Sequence, residues 1–201
     1  MSIITLSEAK KVYDYTEVIG QRFFIPIPRD REYTSPKEKN GYGDQTFSSN
    51  DMPETIEAEC FGITKYSADG KIHPICFGTK NLVDNFGLEG KDGFLYGTDE
   101  LNLICKVFGR QDGLIDIRSI NEEDTSIIDK KKLDDCNCWF PDRFLVNYSG
   151  ISIFYVHIFD CGAIFSKPLF YSYGEARAYK RFGVRPVFVL KSEIETPVVI
   201  P

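Results

Sequence analysis

The sequence predicts a chain of short strands and two short helices that closes on an apolar strand. Three observations carry this. Two strand-like runs, residues 58–66 and 71–77, flank Ala68-Asp69-Gly70, a strong hairpin turn signal. Leu101, Ile104, Cys105 and Phe108 recur at i, i+3, i+4 and i+7, which makes one buried helical stripe. The last quarter ends on Gly183-Val184-Arg185-Pro186-Val187-Phe188-Val189-Leu190, apolar except for one arginine and interrupted by one proline. Arg185 must pair its charge or reach water. Pro186 has no N–H for a sheet ladder, so the strand should lie at an edge or end there.

Towards the N-terminus, Thr5-Leu6-Ser7-Glu8 has capping-box spacing, and residues 2–13 read as a short helix. Phe23-Phe24-Ile25-Pro26-Ile27-Pro28 is apolar but proline-broken, hence extended. Residues 29–55 are rich in Ser, Pro, Gly, Asn and Lys with few apolar anchors. They read as an arm or long loop that orders against a partner, or as a floppy insertion. Next, Thr98 suits the N-cap of the Leu101 helix, Asp99 and Glu100 fill its first turn, and Gly109 suits its stop. A shorter helix is expected from the capping-box spacing Ser119-Ile120-Asn121-Glu122 to about Ile128, and residues 129–135 form a charged surface connection.

The tail, residues 139–190, holds 14 of the 28 aromatic residues. Residues 151–159 alternate only loosely, as a strand covered on both sides would, and Asp160-Cys161-Gly162 reads as a turn before a further strand within 163–173. Asn147-Tyr148-Ser149-Gly150 and Tyr171-Ser172-Tyr173-Gly174 carry the residue types of adaptable binding loops, in which tyrosine gives contact area at low entropy cost. The bland reading makes them ordinary turns whose tyrosines cover the core.

Composition narrows the function classes. A 201-residue chain should bury roughly 70% of its unfolded surface, enough for a real core. Lys and Arg number 24 against 30 Asp and Glu, a net −6, so there is no electrostatic footprint for nucleic acid or an anionic membrane. Arg177, Lys180, Arg181 and Arg185 form a local basic group that reads as a solvated face. The apolar run at residues 1–6 is too short for a signal-peptide core, and nothing is long enough to insert in a membrane. The six cysteines are therefore expected to be reduced, mostly as small buried residues.

Catalytic and metal signatures are weak. Cys136-x-Cys138 with His157-x-x-x-Cys161 could meet around zinc on paired strands, but C-x-C is a poor chelate there, and structural roles are favoured for all four. His73 and His157 read as packed residues, not bases. There is no Gly-x-Ser-x-Gly elbow, and Gly41-Tyr42-Gly43 lacks the strand–helix context of a phosphate loop. Glu122-Glu123-Asp124 reads as a solvated helix face, not a glycosidase pair. The expectation is no catalytic residue, no metal and no cofactor.

One resemblance joins these pieces. Trp139-Phe140, Phe154-x-Val156, Asp160-x-Gly162, Ser172-x-Gly174 and the closing Gly183-Val184-Arg185-Pro186-Val187 come in an order similar to the C-terminal module of uncharacterised bacterial and phage proteins with a C-type-lectin-like fold. It covers roughly residues 95–191. The resemblance implies an α+β body with short antiparallel strands, two short helices and a loop-rich binding face. On that reading residues 56–201 are the C-type-lectin-like domain, and residues 1–55 are an N-terminal helix and extended arm.

Calcium-dependent sugar binding is not expected, because Glu-Pro-Asn, Gln-Pro-Asp and Trp-Asn-Asp triplets are absent and Pro141-Asp142 lacks paired acceptors. The resemblance implies a non-enzymatic binding or assembly protein, such as a virion head or tail decoration, present in the virion or in the cytoplasm before assembly. Tyr148, Tyr171, Ser172, Tyr173 and Tyr179 would contact a surface glycan or a protein partner, a second copy of the chain included. Trp139 and Arg185 would be structural, Arg185 as an internal tie. The alternative is a zinc or copper enzyme on a scaffold like that of formylglycine-generating enzymes, using Cys136, Cys138, Cys161 or His157.

Overall fold

A computed structural model describes residues 18–35, 45–64, 73–86, 97–133, 137–168 and 182–191. Within these residues it is mixed α+β, with mostly antiparallel strands and two α-helices. The strands are β1 (Arg22–Pro26), β2 (Glu32–Ser35), β3 (Gln45–Ser48), β4 (Thr55–Thr64), β5 (His73–Gly78), β6 (Leu114–Ser119), β7 (Cys138–Tyr148), β8 (Ile151–Asp160), β9 (Ala163–Pro168) and β10 (Pro186–Leu190). Helices α1 (Gly97–Gly109) and α2 (Glu122–Ile127) lie either side of β6 in the chain. The helix expected over residues 2–13 falls outside the described residues.

The main sheet has the order β1-β4-β5-β10-β6, every neighbour antiparallel. The closing strand β10 is therefore interior, not an edge. Pro186 is compatible with this because it is the strand's first residue, opposite Ser119, so the ladder begins with it. All five β10 residues are buried, and alternation sends them to two cores. Phe188 joins the α1 stripe (Leu101, Ile104, Cys105, Phe108) on one face, and Val187 joins Phe77, Phe140 and Phe159 on the other. That double covering is why the strand reads as an unbroken apolar run.

The expected arm folds back on its own body. β2 pairs with β3, and β1 pairs with β4 in the main sheet, so pairing crosses the boundary expected at residues 55–56. Arg29 donates to the carbonyls of Ser49 (2.6 Å) and Met52 (2.9 Å), while Arg31 reaches Val107 O of α1 (2.8 Å). Tyr33 and Phe47 pack against the core, and the Tyr33 hydroxyl donates to Glu100 (2.9 Å). Burial first, then the neighbouring Glu100 carboxylate, pushes the Tyr33 phenol well above its ordinary value, so it stays a donor. Two aromatic anchors and two arginines hold a segment whose composition looks like a loop.

The second helix begins later than the sequence spacing implies. Ser119 is still in β6, its N–H taken by Asn102 Oδ1 (2.8 Å), so the helix cannot start there. Asn121 is the cap: its side chain accepts from Asp124 N (3.0 Å), and Asp124 accepts from Asn121 N (2.9 Å). Asp124 also holds Arg118 with two bonds, of 2.5 and 2.7 Å.

The three-stranded sheet β7-β8-β9 is joined by two tight hairpins. Ser149 and Gly150 (φ 48° and 83°), then Cys161 and Gly162 (φ 50° and 77°), are both left-handed pairs, the geometry of two-residue turns that match strand twist. The expected loop at residues 147–150 is thus the end of β7 and a two-residue turn.

Residues 182–185 connect this sheet to the main one. Gly183 O accepts from Trp139 N and Gly183 N donates to Asn137 O (both 2.9 Å), while Val184 exchanges 2.8 Å bonds with Leu82 and Val83. A Cβ on Gly183 would stand 2.7 Å from Val83 O and closer still to the Asn81 amide, so only glycine fits between these strands. Gly183→Ala is expected to lower the unfolding free energy by about 2 kcal/mol or more. Urea unfolding followed by fluorescence of Trp139, the single tryptophan, measures this; an unchanged midpoint would show that the segment opens without cost.

Candidate functional site

Trp139 lies in β7 with its side chain buried; Nε1 donates to Phe86 O (2.6 Å) and the ring meets Phe182 edge-on at 4.9 Å. Arg185 is fully buried: Nε donates to Gly78 O (2.7 Å) and Nη2 to Thr79 O. Tyr148 is the last residue of β7, opposite Ile151. Tyr171, Ser172, Tyr173 and Tyr179, and Cys136 of the zinc set, lie outside the described residues. Cys138 is buried in the second core, and Cys161 is exposed in its turn with Sγ 3.3 Å from Asp160 Oδ1. Among the described residues no three His, Cys, Asp or Glu side chains converge as metal ligands.

The sheet does bring together a group that sequence reading missed. Phe144 of β7 and Tyr155 of β8 are directly opposite, and their rings stack at 5.6 Å with an interplanar angle of 20°. His157, two residues beyond Tyr155, shares that face and meets Phe144 edge-on at 4.8 Å. Its Nδ1 lies 2.7 Å from Glu122 Oε2 at the start of α2. Asp142, across the β7 bulge, accepts from Glu122 N (3.2 Å) and fixes that helix start against the sheet. Phe144, Tyr155 and His157 are each partly exposed, and the Glu122 side chain is 50% exposed. The result is a ledge with aromatic faces on one side and a carboxylate–imidazole pair on the other. Glu122 lies 35 residues from His157 in the chain, so no local pattern could announce the pair.

A cleft of about 440 Å³ lies between β1, β4, β5 and the 3-10 turn Lys130–Lys132. Its most buried acid is Glu59, 5% exposed, with Arg22 Nε 3.4 Å away and Lys132 Nζ in direct contact. Glu57 takes the other side of Arg22 at 2.8 Å. Lys80 and Lys131 line the same cleft with no acidic partner among the described residues. Glu59 accepts from cations on two different elements, Arg22 of β1 and Lys132 of the turn, so the pairing ties that turn to the sheet.

No family model matches the chain, and neither the curated proteins nor the solved structures contain a match to it.

Glu59→Gln is expected to cost about 1–2 kcal/mol of stability at neutral pH, because two cations lose a charge that is shielded from water. Guanidinium chloride is unsuitable because it screens charge; urea unfolding at low and high salt is the measurement. Equal stability of the two proteins would mean that Glu57 and solvent satisfy Arg22 and Lys132 without the Glu59 charge.

Proposed function

We propose that the chain is a non-enzymatic binding or assembly module that presents the β7–β8 ledge to a surface glycan, as expected of a C-type-lectin-like component of a virion. The observation that carries this reading is the stacked Phe144–Tyr155 pair beside His157 and Glu122. Sugars offer apolar C–H faces and polar rims, and a ring face flanked by hydrogen-bonding groups matches both. Glu122 accepts from hydroxyls, while the second nitrogen of His157, which has no partner among the described residues, donates or accepts. All of these groups sit on paired strands or a capped helix, so little order is lost on binding.

The 2.7 Å bond from His157 to Glu122 is also how a carboxylate orients a general base, so turnover is checked in the same assay. Against a panel of bacterial surface polysaccharides in EDTA, the protein is expected to bind without calcium and without cleaving the polymer. Tyr155→Ala and Glu122→Gln should each weaken that binding about tenfold, with circular dichroism unchanged. Binding that survives both substitutions would remove the ledge from the function; release of shortened sugars, abolished by His157→Ala, would replace binding with hydrolysis.

A further inference from the structure

A second cleft, of about 870 Å³, lies where the C-terminus of α1 meets the ends of β6 and β10, away from the ledge. Arg31, Lys106, Arg110 and Lys191 all line it. Among the described residues none of the four has an acidic partner. Lys106 and Arg110 have an ordinary explanation, as cations that complement the negative end of a helix. Arg31 and Lys191 do not belong to that helix. Arg31 is brought in by its bond to Val107 O (2.8 Å), and Lys191 by the bond from its N–H to Gly113 O (3.2 Å). The turn between α1 and β6 is held as well, by Gln111 Nε2 on Pro26 O (2.8 Å).

Charge decides what such a cleft takes. Its four cations face two acids, Asp112 and Asp116, and 4 − 2 leaves +2. The helix end subtracts only about half a charge. The whole chain carries −6, so this is a local reversal of its field. A long polyanion would be repelled by the surrounding surface, whereas a small dianion is drawn to the cleft. The volume falls in the range of small-molecule sites. Its floor adds an apolar component: Leu114 and Ile117 are buried, and Ile115 is 37% exposed.

We propose that this cleft binds a small organic phosphate, with the dianion held by Arg31, Lys106, Arg110 and Lys191 and an apolar or ring-shaped body resting on Ile115 and Leu114. The site is independent of the glycan reading, because it shares no residue with the ledge.

Calorimetric titration of the full chain with phenyl phosphate tests the assignment, with inorganic phosphate as competitor. Saturable one-to-one binding is expected, with inorganic phosphate competing more weakly because it leaves the floor uncovered. The exposed pair Arg110→Glu/Lys191→Glu should weaken phenyl phosphate at least about tenfold, whereas Lys80→Glu in the other cleft should leave it unchanged. Should the double variant lose stability, Lys191→Gln alone, at the end of β10, is expected to give a smaller loss of affinity in a folded protein. The proposal is overturned if phenyl phosphate does not saturate, if the charge-reversed protein binds equally well, or if Lys80→Glu weakens binding as much. Equal affinity for inorganic phosphate would overturn the role given to the apolar floor.

Discussion

The fold is organised around a buried cation that has no acidic partner among the described residues. Arg185 is fully enclosed, and its guanidinium is met by the carbonyls of Gly78 and Thr79 at the end of β5 and by the Phe77 ring, whose centroid is 5.9 Å from Cζ. Its Nη1 has no hydrogen-bond partner among the described residues. Burying a charge this way costs several kcal/mol, and charge-assisted bonds to carbonyls return about 1.5–3 kcal/mol each. The net gain is small, but the geometry is demanding. The planar guanidinium presents Nε and Nη2 to two successive carbonyls in a fixed fork, a geometry that the point-like ammonium of lysine does not reproduce. The same residue's own carbonyl accepts from Ile120 N (2.8 Å), so Arg185 joins β5, the β6–α2 connection and the start of β10.

The segments on either side of Arg185 depend on that join. Immediately before it, Gly183 and Val184 bond to residues 82–83 on one side and 137–139 on the other. Immediately after it, β10 enters between β5 and β6 and supplies side chains to both cores. The short segment therefore sets the position of β7, and through β7 the β7–β8 face that carries Phe144, Tyr155 and His157. It also sets the end of β10, where Lys191 reaches the basic cleft. Both proposed binding surfaces use strands, β7 and β10, that this segment holds at their beginnings.

Local signals were legible in the sequence and long-range ones were not. The helical stripe of Leu101, Ile104, Cys105 and Phe108 is fully buried, as its period requires, and the turn at Cys161-Gly162 lies where a glycine follows Asp160 and Cys161. The antiparallel pairing of β4 with β5 follows from the apolar runs around residues 68–70. The sequence marked Arg185 as a charge in need of a partner or water, whereas the carbonyls that accept from it leave no mark in a sequence. The interior place of β10 was hidden because strand order is a non-local property. Pro186 misled about it, since a proline that begins a strand looks the same as one that caps an edge. In residues 29–55 the polar composition concealed that the arginines serve backbone carbonyls of their own chain. The ledge and the basic cleft were invisible for the same reason: each unites residues brought together only by the completed sheets.

The most direct measurement of this dependence is the unfolding free energy of Arg185→Met, with amide hydrogen exchange read at residues 75–83 and 183–190. Methionine keeps much of the side-chain volume and removes the donors, so two carbonyls in a closed site lose their charged partner while the cost of burying a charge is relieved. If the tie organises the fold, the expected net loss is at least about 2 kcal/mol, with faster exchange in both segments together. A variant as stable as the parent, with protection of both segments intact, would contradict it.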